Sequence, residues 1–292
     1  MCFIIYKNRH MCEIWSDGNI MLVDSSYCSF YRYYATILWY KRANPDVKVD
    51  NKYEWHKDKI FMDKYEKIYL NSLMKIKKKF KIPMKNIVFA IDCPRDTIWR
   101  MPLFPKYKAN RKISDKKFNP SMLEVFKFTK YTILPKLVKN YNIKTIKCPK
   151  AEADDIVAVL TKHFQKTMPE REILIVTNDY DYLQLLDDKI HIYNLKNKNL
   201  REKSLGSKKL DLGVKIIVGD NSDNIPRCFP KCGQKTAIKY LENPDLLDKA
   251  FAKYPESKAR FILNKTLIDF NSIPEDIQKN IIDNFKNNSK TL

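Results

Sequence analysis

Short apolar runs recur through the first two-thirds of the chain, at Ile20–Val23, Ile87–Ile91, Thr145–Lys147 and Ile173–Val176. Runs without alternation predict strands buried on both faces, as in a parallel sheet. Each is followed by a polar or acidic residue and then by a helical period, the β-then-α order of an α/β fold. Ile60–Lys81 has apolar residues at 61, 65, 68, 69, 73, 76 and 80, with Pro83 just beyond, and predicts one long helix. Glu152–Phe164 predicts another, with Ile156, Val159, Leu160 and Phe164 on one face. From about Leu210 the pattern changes to short helices around a turn-rich stretch, Gly219–Gly233. The expected division is an extension over 1–19, an α/β body over 20–208 and a helical domain over 209–292.

Composition narrows the class. The chain has 292 residues, 44% hydrophobic and 30% charged, enough for a large core without disulfide staples. Seven scattered cysteines argue for a reducing, intracellular setting, and no run of about 18 apolar residues suggests a membrane span. Cys228 and Cys232 have no His or Cys pair nearby, which argues against zinc. Charge changes the picture more: 55 Lys and Arg stand against 34 acids, a net charge of +21. Residues 1–150 hold 32 of those basic side chains against 13 acids. A polyanion is the expected partner, nucleic acid before membrane.

In so basic a chain the acids are the informative residues. Asp24, Asp92 and Asp179 come at or just beyond the ends of three expected strands, where an open α/β sheet binds its ligand. The segments AEADD (Ala151–Asp155), NDYD (Asn178–Asp181) and GDNSD (Gly219–Asp223) bring the set to nine acids from five segments. Singly, an acid at a helix start is a cap. Packed together without cations, nine would repel, and several would stay protonated. Hard oxygen donors suit Mg²⁺ or Mn²⁺. Placed on a helix, Glu152 and Asp155 share a face while Asp154 points elsewhere, so one helix end would serve two metal positions. Two ions ~4 Å apart can activate water and stabilise the leaving oxygen of a phosphodiester. No Walker-type phosphate loop is present, which excludes a nucleotide-driven motor.

Six blocks, in order, resemble the flap endonuclease/5′–3′ exonuclease superfamily. They are MLVDSSYCSFYR (Met21–Arg32), VFAID (Val88–Asp92), PKYKANR (Pro105–Arg111), AEADD, TNDYDYLQLL (Thr177–Leu186) and GDNSDNIPRCFPKCGQKTA (Gly219–Ala237). The likeness is closest to the bacterial and phage branch and to the 5′-nuclease domain of bacterial DNA polymerase I. It implies a PIN-like fold: a mostly parallel sheet flanked by helices, a helical arch over about 97–130, and a helix-three-turn-helix subdomain. It implies one metal site at Asp24, Asp92, Glu152 and Asp154, with Asp155 nearby. A second would use Asp179, Asp181 and Asp223, with Asp220 less direct. Lys108 and Arg111 match the arch pair that steers the scissile phosphate, with Arg100 assisting. Arg227, Lys231, Gly233, Lys235 and Thr236 fall in the family's duplex-binding hairpin. The implied activity is divalent-metal cleavage of 5′-ended, nicked or flapped DNA by a monomer.

Two departures qualify the likeness. Asn178 stands where the family commonly has Gly, and Asn tolerates a left-handed backbone. In the hairpin, Arg227 and Lys231 replace glycines, which bears against backbone cradling of DNA and against the K⁺ site that some relatives carry there.

Other features are weighed against plainer readings. The basic segment Lys106–Lys117 reads either as a solvated loop or, given its place between Asp92 and Glu152, as a funnel for a single strand. Lys75–Lys81 reads as a solvated helix face. Most aromatics of Tyr27–Tyr40 read as core, and one or two, with Arg32, are candidates for stacking on bases. The rival functions are a 5′–3′ exoribonuclease or RNA-primer-removing nuclease with the same acids, and an inactive DNA-binding relative.

Overall fold

The computed structural model describes residues 17–111 and 119–288. Most of the expected extension, and the 112–118 stretch of the expected arch, lie outside them. Five strands, β1 (Ile20–Asp24), β2 (Ile87–Ile91), β3 (Lys144–Lys147), β4 (Ile173–Val176) and β5 (Ile190–Tyr193), form one parallel sheet in the order β3-β2-β1-β4-β5. The α/β sheet expected from the apolar runs is therefore present. β5 escaped the sequence pattern because IHIY offers only two buried apolar residues, too short a signal.

The helices are α1 (Ser25–Ala43), α2 (Lys59–Lys79), α3 (Ser121–Phe128), α4 (Leu134–Tyr141), α5 (Ala153–Thr167), α6 (Lys208–Val218), α7 (Gln234–Glu242), α8 (Pro244–Lys253), α9 (Glu256–Ile268) and α10 (Glu275–Asn288). A π turn, Thr129–Ile133, joins α3 to α4. Strand residues alternate between two cores. Ile20, Leu22, Val88, Ala90, Ile173 and Ile175 face α5 and α10, whereas Met21, Val23, Phe89, Leu174 and Val176 face α1 to α4. Full burial of such a side chain stabilises by about 1.5–3 kcal/mol, so the doubly covered central strands form a stiff platform.

That platform ends in the acids. Met21 lies opposite Ile87 and Leu174, and Asp24 lies opposite Ala90, so the chain emerges from β1, β2 and β4 at one edge. Asp24 closes β1 and caps α1 at once, accepting the Tyr27 N–H at 2.9 Å. α6 begins at Lys208, and the Gly219–Gly233 loop packs Cys228, Phe229 and Cys232 against Val214, Ile217 and Ala237. The last helix returns to the body, with Ile277, Ile281 and Phe285 in the α5 core.

Candidate active site

The carboxyl ends of β1, β2 and β4, the start of α5 and the loop after α6 open onto one cleft of about 1440 Å³. Asp24, Asp92, Glu152, Asp154, Asp179 and Asp220 line it, together with Lys108 and Arg111. Asp92 accepts the Ala153 N–H at 2.8 Å and the Ser26 hydroxyl proton, which ties β2 to the start of α5. The loop that carries Asp220 and Asp223 is closed by paired bonds between Asp220 and Ile225, at 2.9 and 2.8 Å. Gly219 makes that closure possible: its φ is +74°, and a Cβ there would lie 2.4 Å from the Ile225 carbonyl oxygen.

Three cations pair with the acids, and two of them bridge acid to acid. Lys108, itself buried, pairs with Glu152 and lies 3.6 Å from Asp223. Arg111 pairs with Asp223. Lys215 of α6 joins Asp181 and Asp220, at 2.9 Å from the latter. The Tyr107 hydroxyl reaches both Glu152 (2.9 Å) and Asp223 (3.1 Å), so one phenol spans the two acid groups. Those groups are compact: one ligand atom each from Glu152, Asp154 and Asp155 lie within 4.8 Å of one another, and so do those of Asp181, Asp220 and Asp223.

Crowding shows in the proton affinities. Burial, then the charges of Asp92 and Asp179, push the Asp24 carboxyl up to about 7. Burial, with Asp155 and Glu152, holds Asp154 well above the carboxylate range. Where a cation is at hand the sign reverses. Burial raises Glu152 and Asp220 too, but Lys108 and Arg100 bring Glu152 below its ordinary value, and Lys215 brings Asp220 down to about 2.

Two expectations about the start of α5 are corrected. Glu152 is not within the helix but is its N-cap, in a capping box with Asp155. Asp155 therefore turns inward, fully buried, and accepts Arg100 Nη1 (3.0 Å) and Nη2 (2.8 Å), Trp99 Nε1 (3.0 Å) and the Glu152 N–H (3.0 Å). Its oxygens are taken, and Glu152 and Asp154 are the two that face the cleft. Arg100 is corrected likewise. At 1% exposure it cannot meet a phosphate: its fork is spent on Asp155, Glu152 (3.1 Å) and the Leu267 carbonyl (2.8 Å).

Lys108 and Arg111 do come over the acids, because this leg of the chain is fastened to the acidic loop. The Lys108 N–H donates to the Asp223 carbonyl at 2.8 Å, and Asn224 Nδ2 donates to the Lys106 carbonyl at 2.7 Å. In the hairpin, Arg227, Lys231, Gly233 and Lys235 are exposed and Thr236 is half-buried. Lys231 has φ +52°, so it takes up the left-handed backbone a glycine would favour. Arg32 lies over the Tyr31 ring (5.0 Å) and donates to the Leu195 carbonyl (3.1 Å), beside the cleft rather than in its lining. Sequence reasoning missed Tyr107, Lys215, Arg95 and Lys203, of which the last three line the cleft. A lone lysine on a helix among so many basic residues carries no signal of its own.

Sheet order, a cleft lined by carboxylates and the cations paired with them define an α/β protein with a site chemically suited to divalent cations. The family of the 5′–3′ exonuclease N-terminal resolvase-like domain matches residues 19–210, and the chain belongs to it. A 5′–3′ exonuclease of Buchnera aphidicola subsp. Baizongia pistaciae (strain Bp) is 36% identical over 199 residues, 63% of this chain and 61% of that protein. This chain covers from 53% to 67% of the length of three such Buchnera exonucleases. Ribonuclease H of Enterobacteria phage T4 is 28% identical over 255 residues, 80% of each chain. Among solved structures, bacteriophage T5 flap endonuclease, in a complex with DNA and metal ions, superposes with a TM-score of 0.67 over 94% of this chain and 100% of its own. At 16% identity that likeness carries the fold.

Proposed function

We propose that the chain is a structure-specific 5′ nuclease that hydrolyses DNA phosphodiesters with divalent metal, as flap endonuclease and 5′–3′ exonuclease. The observation that carries this reading is the convergence of carboxylates from five segments in one cleft beneath Lys108 and Arg111. The donor set fits Mg²⁺ or Mn²⁺: the side chains are hard oxygens, and the ammonium groups of Lys108 and Lys215 already sit among them as cations. Asp24, Asp92, Glu152 and Asp154 would hold one ion, and Asp179, Asp181, Asp220 and Asp223 a second. When bound, such ions supply an activated water and charge for the leaving oxygen.

The chain's own residues do the rest. Lys108 and Arg111 draw the scissile phosphate over the acids and stabilise its charge. Tyr107 keeps Glu152 and Asp223 in register. Residues 20–208 form the catalytic body, and residues 209–292 hold the duplex through the exposed hairpin, with the last helix anchored in the body. The T5 structure, solved with DNA, and the exonuclease relatives support DNA as substrate.

The likeness to phage T4 ribonuclease H favours a second reading, removal of RNA from 5′ ends. Matched 5′ flaps of DNA and RNA on one duplex, with Mg²⁺ and then with chelator, test both. Cleavage of neither flap refutes the nuclease reading, and cleavage of RNA alone replaces the first substrate with the second.

A further inference from the structure

The segment NDYDY places a tyrosine on either side of Asp181, and the fold sends the two in opposite directions. Both belong to the 3₁₀ turn Tyr180–Leu185, which Asp179 caps by accepting the Asp181 N–H at 2.9 Å. Tyr182 is fully buried: its ring centroid is 6.0 Å from that of Phe270, and its hydroxyl donates to Asp24 at 3.4 Å. Tyr180 is 51% exposed in the wall of the cleft, between Asp179 and Asp181, the two carboxylates proposed above for the second ion. Among the described residues its hydroxyl has no hydrogen-bond partner, and its ring takes part in no aromatic or cation contact.

A single exposed aromatic is ordinary on a protein surface; the surroundings of this one are not. The Tyr180–Leu185 turn packs against α6 and against the turn Leu200–Lys203. From these elements Leu183, Leu205, Val214 and Val218 give the cleft an apolar lining, with Lys203 as a cation among them. A 3₁₀ turn repeats every third residue, so Tyr180 and Leu183 stand in line on one edge. The cleft is therefore not polar throughout: beside the second acid group it has an apolar arm that ends in an exposed ring.

A phosphodiester held at the acids brings a base with it on each side, flat and apolar on both faces, and charged groups alone do not hold such a base. Gln234, the first residue of α7, also lines the cleft, and the Gly219–Gly233 loop shares one core with α6. The apolar arm thus lies on the α6 side, toward the hairpin. We infer that Tyr180 and this arm form a nucleobase subsite, in which the ring stacks on the base next to the scissile phosphate on its duplex side. Stacking tolerates any sequence, since every base has a π face, so Tyr180 orients the nucleotide without reading it. Fixing that base fixes the rotation of its phosphate over the acids, which is where a small misplacement costs rate. The inference rests on the nuclease reading above.

The test places 2-aminopurine, whose fluorescence is quenched by stacking, at the first paired nucleotide of the flap strand in a 5′-flap DNA saturated with protein in Ca²⁺. Wild type should quench it, Tyr180→Phe should quench it equally, and Tyr180→Leu, apolar but without a π face, should leave it bright. In Mg²⁺, Tyr180→Leu should slow single-turnover cleavage by about tenfold, and an abasic residue at the same nucleotide should slow wild type by about as much while adding nothing to Tyr180→Leu. Equal fluorescence with wild type and Tyr180→Leu, or a loss of rate from Tyr180→Leu that persists on the abasic DNA, overturns the inference. Cleavage reports separately on the nuclease reading: quenching by wild type and Tyr180→Phe alone, without cleavage, refutes that reading and leaves the subsite standing.

Discussion

Replacing Arg100 separates a buried clamp from a phosphate-steering cation. Its guanidinium makes four hydrogen bonds between 2.8 and 3.1 Å, to Asp155, Glu152 and the Leu267 carbonyl, with its side chain 2% exposed and that of Asp155 0%. Arg100→Met keeps the bulk and removes every donor, leaving the Asp155 charge buried with, among the described residues, Trp99 and the Glu152 N–H as its remaining donors. Breaking one side of a buried pair costs about 3–5 kcal/mol. Against a total of about 5–15 kcal/mol for an ordinary domain, that is a large fraction. Urea unfolding without metal should therefore show a marked fall in midpoint at unchanged slope. Pairing it with Asp155→Leu should return about 2 kcal/mol or more, because no lone charge is then left inside. An Arg100→Met variant within about 1 kcal/mol of wild type, yet slow in cleavage, would refute the clamp and restore a role at the phosphate.

The remaining predictions concern the cleft and one buried lysine. Asp24→Asn or Asp154→Asn should reduce cleavage to near zero while DNA binding in Ca²⁺ persists, and retention of half the wild-type rate would sink the ligand assignment. Lys108→Ala and Arg111→Ala should each slow single-turnover cleavage of a 5′ flap by about 100-fold with little change in duplex affinity. A Lys77→Ala/Lys78→Ala variant that is equally slow would mean diffuse attraction instead. Lys144, buried in edge strand β3, is pushed down to about 8 by burial and by Lys85. Its charge is thus a cost at pH 7, and Lys144→Met should stabilise by about 1–2 kcal/mol there. Between pH 8 and 10.5 the unfolded chain binds the extra proton, so wild-type stability should rise with pH and the gap to Lys144→Met should close. A gap that stays constant over that range in urea titrations contradicts the assignment.

Local pattern was enough for four of the five strands and to single out the acids at the ends of three of them. Ile20–Val23, Ile87–Ile91 and Ile173–Val176 read as strands because burial on both faces demands unbroken apolar runs, and Asp24, Asp92 and Asp179 stood out because a basic chain has few reasons to place acids at strand ends. The long helix α2 was legible from its period to within two residues at its C-terminal end, where Phe80 caps it and Lys81 turns left-handed. What each acid does was decided elsewhere. Asp154 and Asp155 are neighbours of the same type, yet the capping box turns one into the cleft and the other onto Arg100, a partner 55 residues away. Lys215 reaches Asp181 only because α6 packs against the Tyr180–Leu185 turn, and Arg100 points inward only because α9 offers the Leu267 carbonyl. Residue type and period are properties of a few consecutive residues and survive in the sequence. The partner that neutralises a buried charge is chosen by packing between distant segments, and only the folded chain contains that information.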